Sequence, residues 1–355
     1  MVLYAFGSNG SGQLGIGNTV DQSTPQRCWL NSELPGSPLT VVAGGNHTLI
    51  LYDEGTVYSA GLPWDGRLQS GWSMSSMPIY EKTYMSALGN KVKLCSAFWD
   101  GSIFVNSEDE VYTTGFRPKG EHRTDGISAS VGLQMLPNFP PILQWSKVVD
   151  VACGVDHAVV VLADGTVYGW GNGRKGQLSH PEEIVWTPRR FADVGFKIVR
   201  AVCGREFTYL VGEPSSGQHK ILGSTKWDVQ SQAPTSVPNW KDIGASWGSI
   251  FVLEESGKIR SWGRNDHGQL APHGLPHIEM IAVGSEHVIA LTKEGKVISW
   301  GWGEHGNCGS GTDQNGDVKG KWNEIPNYNL NKSMKVAGVG AGCATSFFWA
   351  NDLET

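Results

Sequence analysis

Three glycine-rich stretches in this sequence have the GxGxxG spacing that cradles the phosphates of a dinucleotide. They are residues 10–15, 171–176 and 301–306. A dinucleotide site also needs a helix after the glycines, because the helix N-terminus meets the pyrophosphate. No helical periodicity follows any of the stretches, and all three hold similar places in a repeat. We therefore interpret them as connections of a repeated fold and predict no dinucleotide cofactor.

One serine and one acidic run could carry hydrolytic chemistry. Ser246 stands in a GxSxG match at 244–248, the spacing of a nucleophile elbow, which needs a sharp turn from strand to helix. This match leads instead into the apolar strand pattern 250–253. The acidic run 108–110 is interpreted as a solvated hairpin turn, although a paired-carboxylate site stays open because a sequence does not reveal spatial neighbours. We predict a protein that is not an enzyme and has no catalytic residue.

The histidines and cysteines contain two pairs with the spacing of metal ligands. They are His273 with His277 and His305 with Cys308. A structural zinc site needs four ligands, and neither pair has an evident second pair. There is no HExxH motif and no CxxC pair among the ten histidines and six cysteines. We predict no metal site and no cofactor.

Two short sequence patterns, each one half of a repeat unit, recur along the chain. The strands and turns that they form must position any site. The first is an apolar pair, a glycine, two variable residues, often a histidine, and an apolar run. Its anchors fall at seven positions, 47, 101, 157, 207, 249, 287 and 344. The second is a glycine-bearing turn, a short strand and Trp-Gly, as in 163–171. Repeated hairpins of this kind are typical of propeller blades, which stack to share a core.

The repeat predicts an all-β, seven-bladed β-propeller that forms a single domain over residues 1–355. Residues 2–15 hold a second half-pattern with no first half, and residues 334–349 hold a first half with no second. Pairing of these N-terminal and C-terminal strands would close the ring and hide two strand edges. Three tryptophans share one repeat position, and we expect them to pack in the core between blades: Trp170, Trp262 and Trp300. Three histidines share another, and we expect them to form hydrogen bonds between blades: His47, His157 and His287.

Breaks in the repeat indicate the candidate binding site. Large or charged residues replace the regular pattern in units two, four and five and in the connection after unit six. The predicted partner-binding residues are Trp99, Asp100, Arg205, Glu206, Phe207, Trp247, Trp302, Glu304 and His305. Aromatic residues and arginine are common hot spots of protein interfaces. A tryptophan could equally plug the propeller channel, and both readings stay open, as does the role of the long connections 62–91 and 116–147.

Charge and composition exclude several partner classes. The chain has a formal net charge of −6, a pI near 5.9 and no cluster of lysine and arginine, which disfavours direct binding of nucleic acid or membrane. No apolar run approaches the roughly 18 residues of a membrane span. We see no secretory signal, and the cysteine pattern is no disulfide framework. These features predict a cytoplasmic protein, with the nucleus as an open alternative.

The segments at 7–15, 171–178 and 263–270 resemble the regulator-of-chromosome-condensation repeat family, which is a family of seven-bladed propellers. Four further segments and Ser246-Trp247 are similar to its fungal alpha-tubulin suppressor group, also called the killer-toxin-insensitivity thirteen group: 4–10, 43–49, 299–309 and 341–345. This narrower resemblance implies a heterodimer with a small CSL-type zinc-finger electron-transfer protein, diphthamide biosynthesis protein three. Through that partner it implies indirect links to the diphthamide enzymes and to Elongator-dependent modification of tRNA wobble uridines.

Two other functions compete with this interpretation. Nucleotide exchange on a small GTPase occurs in the same family, and a GDP-release assay would discriminate it. Light sensing occurs in plant members that stack tryptophans in GWRHT motifs. The nearest segment here, 169–173, lacks the arginine.

Overall fold

A computed structural model describes residues 1–30, 36–62, 77–83, 91–115, 133–141, 147–326, 330 and 333–352. The long connections 62–91 and 116–147 lie mostly outside these residues, so their role stays a prediction. The described part of the chain contains 26 strands and one short 3-10 helix, Lys226–Asp228. Within it, no helix has the length and apolar character needed to cross a membrane.

The strands are short and antiparallel within each blade. In the first half of the chain they are β1 (Val2–Gly7), β2 (Gln22–Arg27), β3 (Pro38–Ala43), β4 (His47–Tyr52), β5 (Val57–Gly61), β6 (Met77–Lys82), β7 (Val92–Ala97), β8 (Gly101–Asn106), β9 (Val111–Gly115), β10 (Gln134–Met135), β11 (Val148–Cys153), β12 (His157–Leu162), β13 (Val167–Asn172) and β14 (Ile184–Arg190). In the second half they are β15 (Arg200–Cys203), β16 (Phe207–Val211), β17 (His219–Gly223), β18 (Trp240–Ala245), β19 (Ser249–Glu254), β20 (Ile259–Gly263), β21 (Ile278–Val283), β22 (His287–Thr292), β23 (Val297–Trp302), β24 (Asp317–Ile325), β25 (Met334–Ala341) and β26 (Thr345–Asp352).

The sheet order divides these strands into consecutive blades. Blades one, two, three and six have four strands, β3–β6, β7–β10, β11–β14 and β21–β24, and blades four and five have three, β15–β17 and β18–β20. Blade seven has the order β25-β26-β1-β2. A parallel bridge, Ala341 with Val42, joins β25 of blade seven to β3 of blade one. The all-β propeller class predicted from the repeat is therefore confirmed.

The innermost strands form a ring. They contact one another in the order β3, β7, β11, β15, β18, β21, β25 and back to β3. Strand β1 pairs with β26 from Val2 opposite Ala350 to Gly7 opposite Thr345, as the incomplete repeats at the two ends predict. Blade seven extends beyond the predicted residues 2–15 and 334–349, because β2 supplies its outer edge.

The repeat anchors are the first residues of the second strand in each blade. Six fall where the pattern places them, and the seventh is Thr345 rather than position 344. The repeated tryptophans are buried between blades, as predicted. Trp300 packs against Phe251 and Leu253 of the preceding blade, and its indole N–H donates to the Gln269 carbonyl at 3.0 Å. Burial of such large side chains supplies most of the stabilising free energy, at about 1.5–3 kcal/mol or more each.

The repeated histidines connect neighbouring blades, as predicted. In each case Nε2 of the buried imidazole lies within hydrogen-bond distance of a hydroxyl on the second strand of the next blade. The pairs are His47 with Ser102 at 2.9 Å, His157 with Thr208 at 3.1 Å and His287 with Ser346 at 2.9 Å. The Thr208 hydroxyl itself donates to the Gln177 carbonyl at 2.8 Å, so it accepts its hydrogen bond from the His157 N–H.

Candidate functional site

The loops that follow the innermost strands all emerge on one face of the ring, which we call the loop face. One residue of each loop occupies the same repeat position: Gly45, Trp99, Val155, Arg205, Trp247, Ser285 and Cys343. Backbone hydrogen bonds join neighbouring loops here. The Gly45 N–H donates to the Trp99 carbonyl at 2.7 Å, and the Trp247 N–H donates to the Ser285 carbonyl at 2.8 Å. The channel mouth is thus a hydrogen-bonded rim that fixes where these side chains project.

Three of the predicted site residues meet at this rim. The indoles of Trp99 and Trp247 approach across the channel with their centroids 5.7 Å apart. Cζ of Arg205 lies 5.4 Å from the centroid of Trp247, within cation–π range. Gly45 permits this packing, because a Cβ at that position would lie 2.8 Å from the Trp99 ring. Trp99, Arg205 and Trp247 therefore share one face of the ring.

The tryptophan pair both covers the channel and faces solvent. A cavity of about 110 Å³ at the channel is lined by both indoles and by residues of all seven inner loops. Trp99 nevertheless keeps 36% of its surface exposed. The plug and interface readings of these tryptophans are therefore compatible with the same geometry.

A second concavity opens beside the rim, between blades four, five and six. We call it the charged cleft. It has a volume of about 210 Å³ and is lined by Arg205, Glu206, Phe207, Ser224, Lys226, Trp227, Trp247, Gly248, Arg264 and Glu286. Six of these residues were not among the predicted site residues: Ser224, Lys226, Trp227, Gly248, Arg264 and Glu286. The available signal was Trp227, a tryptophan in a connection where the repeat has none.

An ion-pair network forms the blade-six wall of the charged cleft. Arg264 binds Asp266 through two hydrogen bonds of 2.7 and 2.8 Å and also contacts Glu286 at 2.5 Å. Burial raises the pKa of Glu286, although hydrogen bonds from Gln269 and Arg264 oppose the increase. Burial also acts to raise the pKa of Asp266, but hydrogen bonds from Arg264 and Gln269 outweigh it and lower that pKa to about 2. Arg264 is therefore already neutralised by carboxylates of its own chain.

Trp227 stands out by its backbone. Its φ is 63° and ψ is 20°, in the left-handed region that bulky residues rarely occupy. The indole is 39% exposed and lies beneath two cations, with Arg264 at 4.7 Å and Lys226 at 4.9 Å from its centroid. Strain of this kind costs on the order of 1–3 kcal/mol and is concentrated at functional surfaces.

The predicted residues of blade six lie farther out on the loop face. The Trp302 ring stacks on His267 with ring centroids 4.8 Å apart. The backbone N–H of Trp302 donates to the Glu286 carbonyl at 2.9 Å. Glu304 and His305 are exposed, and His305 Nδ1 lies 2.9 Å from an Asp21 oxygen of blade seven. Glu286 therefore connects this cluster to the charged cleft.

The remaining predicted site residues differ in accessibility. Asp100 and Glu206 are half-buried at the channel rim. Phe207 is only 3% exposed and packs in the core, because it takes the buried position that histidine holds in other blades. Phe207 therefore forms part of the cleft wall but has almost no open surface.

The residues with catalytic or metal-like spacing have structural surroundings. The buried Ser246 hydroxyl oxygen accepts the Ser249 N–H at 3.0 Å. Cys308 is fully buried, and burial raises the pKa of its thiol to about 12. Asp109 contacts Lys93 and accepts the Val148 N–H at 2.6 Å, so the acidic run is more than the solvated turn that was predicted.

Among the described residues, no group of three or more histidine, cysteine, aspartate and glutamate side chains is placed to hold a metal ion.

Comparison with known proteins supplies a family. The family model described as the RCC1-like domain matches residues 2–348. An RCC1 repeat-containing protein of Schizosaccharomyces pombe is 29% identical over 287 residues, which are 76% of this chain and 78% of that protein. The structure of Prp20p from Saccharomyces cerevisiae superposes with a TM-score of 0.83 at 21% identity, covering 99% of this chain and 92% of that one, which supports the fold.

Other relatives share only part of their length with this chain. A secretion-regulating guanine nucleotide exchange factor of Bos taurus is 28% identical over 295 residues, which are 76% of this chain and 61% of that protein. The human E3 ubiquitin-protein ligase HERC2 is 31% identical over 284 residues, which are 76% of this chain and 6% of that protein. The region that matches this chain is thus shared by proteins whose names give different activities.

Proposed function

The chain belongs to the family of RCC1-like domain proteins, and from this membership we propose that it is a non-catalytic accessory factor whose protein partner docks on the loop face. The observation that carries the proposal is the cluster of Trp99, Arg205 and Trp247 at the channel rim. Tryptophan and arginine are the residue types that most often dominate binding energy. A backbone hydrogen-bonded rim holds them in place before a partner arrives, which lowers the entropic cost of association.

The partner we propose is a small CSL-type zinc-finger protein, diphthamide biosynthesis protein three. Support comes from the segments with the narrower fungal resemblance, because two of them contribute to the loop face. Residues 43–49 carry Gly45 of the rim, and residues 299–309 carry Trp302, Glu304 and His305. The heterodimer would then support diphthamide synthesis and Elongator-dependent modification of wobble uridines, in the cytoplasm and the nucleus.

Affinity purification followed by mass spectrometry tests this partner. We expect the tagged chain to recover the CSL-type protein, and the Trp99→Ala and Trp247→Ala variants to recover much less of it. Deletion of the gene should reduce diphthamide and modified wobble uridines. The proposal would be refuted if no CSL-type protein were recovered and if diphthamide and the modified wobble uridines stayed intact after deletion.

A second candidate is nucleotide exchange or another regulatory action on a small GTPase. The observation that favours it is the 28% identity to the bovine exchange factor across 76% of this chain. Release of labelled GDP from a panel of small GTPases measures this activity. Acceleration by the wild-type chain that is lost in Trp247→Ala would favour exchange over the accessory role.

A further inference from the structure

Two cations of the charged cleft have no carboxylate partner among the described residues. They are Arg205 and Lys226, both exposed, and each lies over an indole face, that of Trp247 or Trp227. The third basic residue that lines the cleft, Arg264, is paired with Asp266 and Glu286. Arg205 and Lys226 are therefore held against aromatic walls, where a guest anion can reach them.

The charge of the cleft contrasts with that of the chain. Three basic and two acidic side chains line it, whereas the whole chain has a formal net charge of −6. Glu286 is 2% exposed and is occupied by Arg264 and Gln269, so it does not repel a guest directly. Glu206 also lines the cleft and can accept a backbone N–H from a bound chain.

We propose that the charged cleft binds an acidic segment of a protein partner, with a carboxylate side chain placed between Arg205 and Lys226. This inference rests on the proposed function in that a protein docks on the loop face, but it does not depend on which protein docks. The part of the Trp227 indole that stays exposed can contact the methylene groups of a bound glutamate.

The indole surroundings favour a peptide over a nucleotide. Both indoles already carry cations of this chain on their faces, Arg205 on Trp247 and Lys226 with Arg264 on Trp227. A nucleobase needs an open aromatic face on which to stack. A carboxylate needs only hydrogen-bond donors, which the guanidinium and the ammonium provide.

Fluorescence anisotropy with short labelled peptides tests the chemistry directly. The probe is fluorescein-labelled Glu-Glu-Leu-Asp-Glu-Glu, and its matched control has glutamine and asparagine in place of every acid. We expect the full-length chain to bind the acidic probe with a Kd of about 1 mM or tighter and to bind the neutral probe at least about tenfold more weakly. Affinity should fall as ionic strength rises, because the contacts are partly exposed.

Charge reversal locates the binding. The double variant Arg205→Glu with Lys226→Glu should bind the acidic probe at least about tenfold more weakly than wild type does. Two exposed cations serve as matched controls, Arg174→Glu on the loop face outside the cleft and Lys258→Glu in the blade-five hairpin turn on the other face. Neither control should change binding by more than about twofold, and circular dichroism should show all variants folded.

A second arm uses a purified, zinc-loaded CSL-type protein and separates this inference from the proposed partner. Binding of the acidic probe at the cleft without binding of the CSL-type protein would refute that partner and leave the cleft assignment standing. Equal binding of the acidic probe by wild type and the double variant would overturn the cleft assignment. The assignment is likewise overturned if the acidic probe does not bind, or if labelled oligouridine binds more tightly with the same dependence on Arg205 and Lys226.

Discussion

At the scale of single residues, one repeat position explains the candidate site. The same place in seven loops holds Gly45, Trp99, Val155, Arg205, Trp247, Ser285 and Cys343. Backbone hydrogen bonds join most neighbouring loops at this position, which fixes where the side chains project. Substitution at this position can therefore change what the rim binds without a change of fold. Trp247 is central because it touches both Trp99 and Arg205.

Removal of the Trp247 indole should weaken partner binding more than it destabilises the fold. We expect Trp247→Ala to lower affinity for the loop-face partner by more than tenfold, about 2 kcal/mol, because an aromatic anchor is lost at the centre of the surface. Isothermal titration calorimetry measures this. Trp186→Ala is the matched control, since Trp186 is 40% exposed on β14 at the outer edge of blade three. Equal losses in both variants would contradict a role for the rim.

A methyl group at Gly45 should displace Trp99 without removing it. The added Cβ would meet the indole at 2.8 Å and the Trp99 carbonyl at 2.9 Å, closer than real Cβ contacts. We expect Gly45→Ala to reduce partner affinity about tenfold and to shift the fluorescence of Trp99. Gly195→Ala is an unsuitable control because its φ is 85°, whereas Gly10→Ala adds a Cβ that meets nothing. Unchanged affinity would argue that the position of the Trp99 ring does not matter.

At the scale of strands and blades, histidine and hydroxyl occur as pairs across blade boundaries. Where a blade begins its second strand with His47, His157 or His287, the next blade has Ser102, Thr208 or Ser346. Where Gly101, Phe207 or Ser249 replaces the histidine, the next blade has Ala158, Ile250 or Val288 in place of the hydroxyl. A buried imidazole N–H without an acceptor would be costly, which explains why each of these histidines faces a hydroxyl. The converse does not hold, because blade one keeps Thr48 after Thr345, and the Thr48 hydroxyl donates to the Gln13 carbonyl.

Loss of one of these hydroxyls should therefore lower the free energy of unfolding. Thr208→Val keeps the shape of the side chain but removes both the acceptor for His157 and the donor to the Gln177 carbonyl. We expect the free energy of unfolding to fall by about 1–3 kcal/mol. Urea denaturation measures it, with Thr24→Val on the exposed strand β2 as the control. A loss no larger than that of the control would show that the inter-blade bond contributes little.

The buried histidines also predict how stability depends on pH. Burial lowers the pKa of His157 and of His287 to about 4, whereas histidine in an unfolded chain titrates near 6.5. Between these values the unfolded chain binds protons that the folded chain does not. The free energy of unfolding should therefore fall as pH falls from about 6.5 to 4, by up to about 3 kcal/mol for each histidine.

A comparison of variants isolates this effect, because Asp150 acts in the opposite direction. Burial raises the pKa of Asp150 to about 6, against the influence of Arg200, so this carboxyl favours the folded state as pH falls below 6. We expect the double variant His157→Gln with His287→Gln to be less stable at pH 7.5 and to lose less stability on acidification. Urea titrations from pH 4.5 to 7.5 decide the point. Parallel curves for wild type and double variant would refute the assignment.

At the scale of the whole molecule, the regular repeat made the fold predictable from the sequence. The site lies where the repeat is broken, so only part of it could be predicted. The repeat anchors locate the second strands, because each blade must bury the same positions against its neighbours. The cleft was harder, since Lys226 and Trp227 lie in a connection that follows no repeat, and Arg264 takes a variable position of the repeated segment 263–270. The left-handed backbone of Trp227 has no sequence signature, because tryptophan is not a residue that favours that conformation.

Closure of the ring should dominate global stability. Strand β1 buries Leu3, Tyr4, Ala5 and Phe6 between β26 and β2. Their burial contributes about 5 kcal/mol or more, comparable with the whole stability of many domains. We expect deletion of residues 1–7 to abolish a cooperative thermal transition in calorimetry and a synthetic peptide of residues 1–30 to restore it in part. A truncated chain that melts like the wild type would show that blade seven holds without β1.

The pairing of β1 with β26 also sets an order of events during synthesis. Strand β1 leaves the ribosome early, yet its partner β26 is translated more than 300 residues later. At about 5–20 residues per second, β1 waits tens of seconds with an apolar edge open to other chains. We therefore expect the nascent propeller to need chaperones until β26 emerges. A premature stop codon before β26 would leave both ring edges exposed, and we expect such products to be degraded or to aggregate.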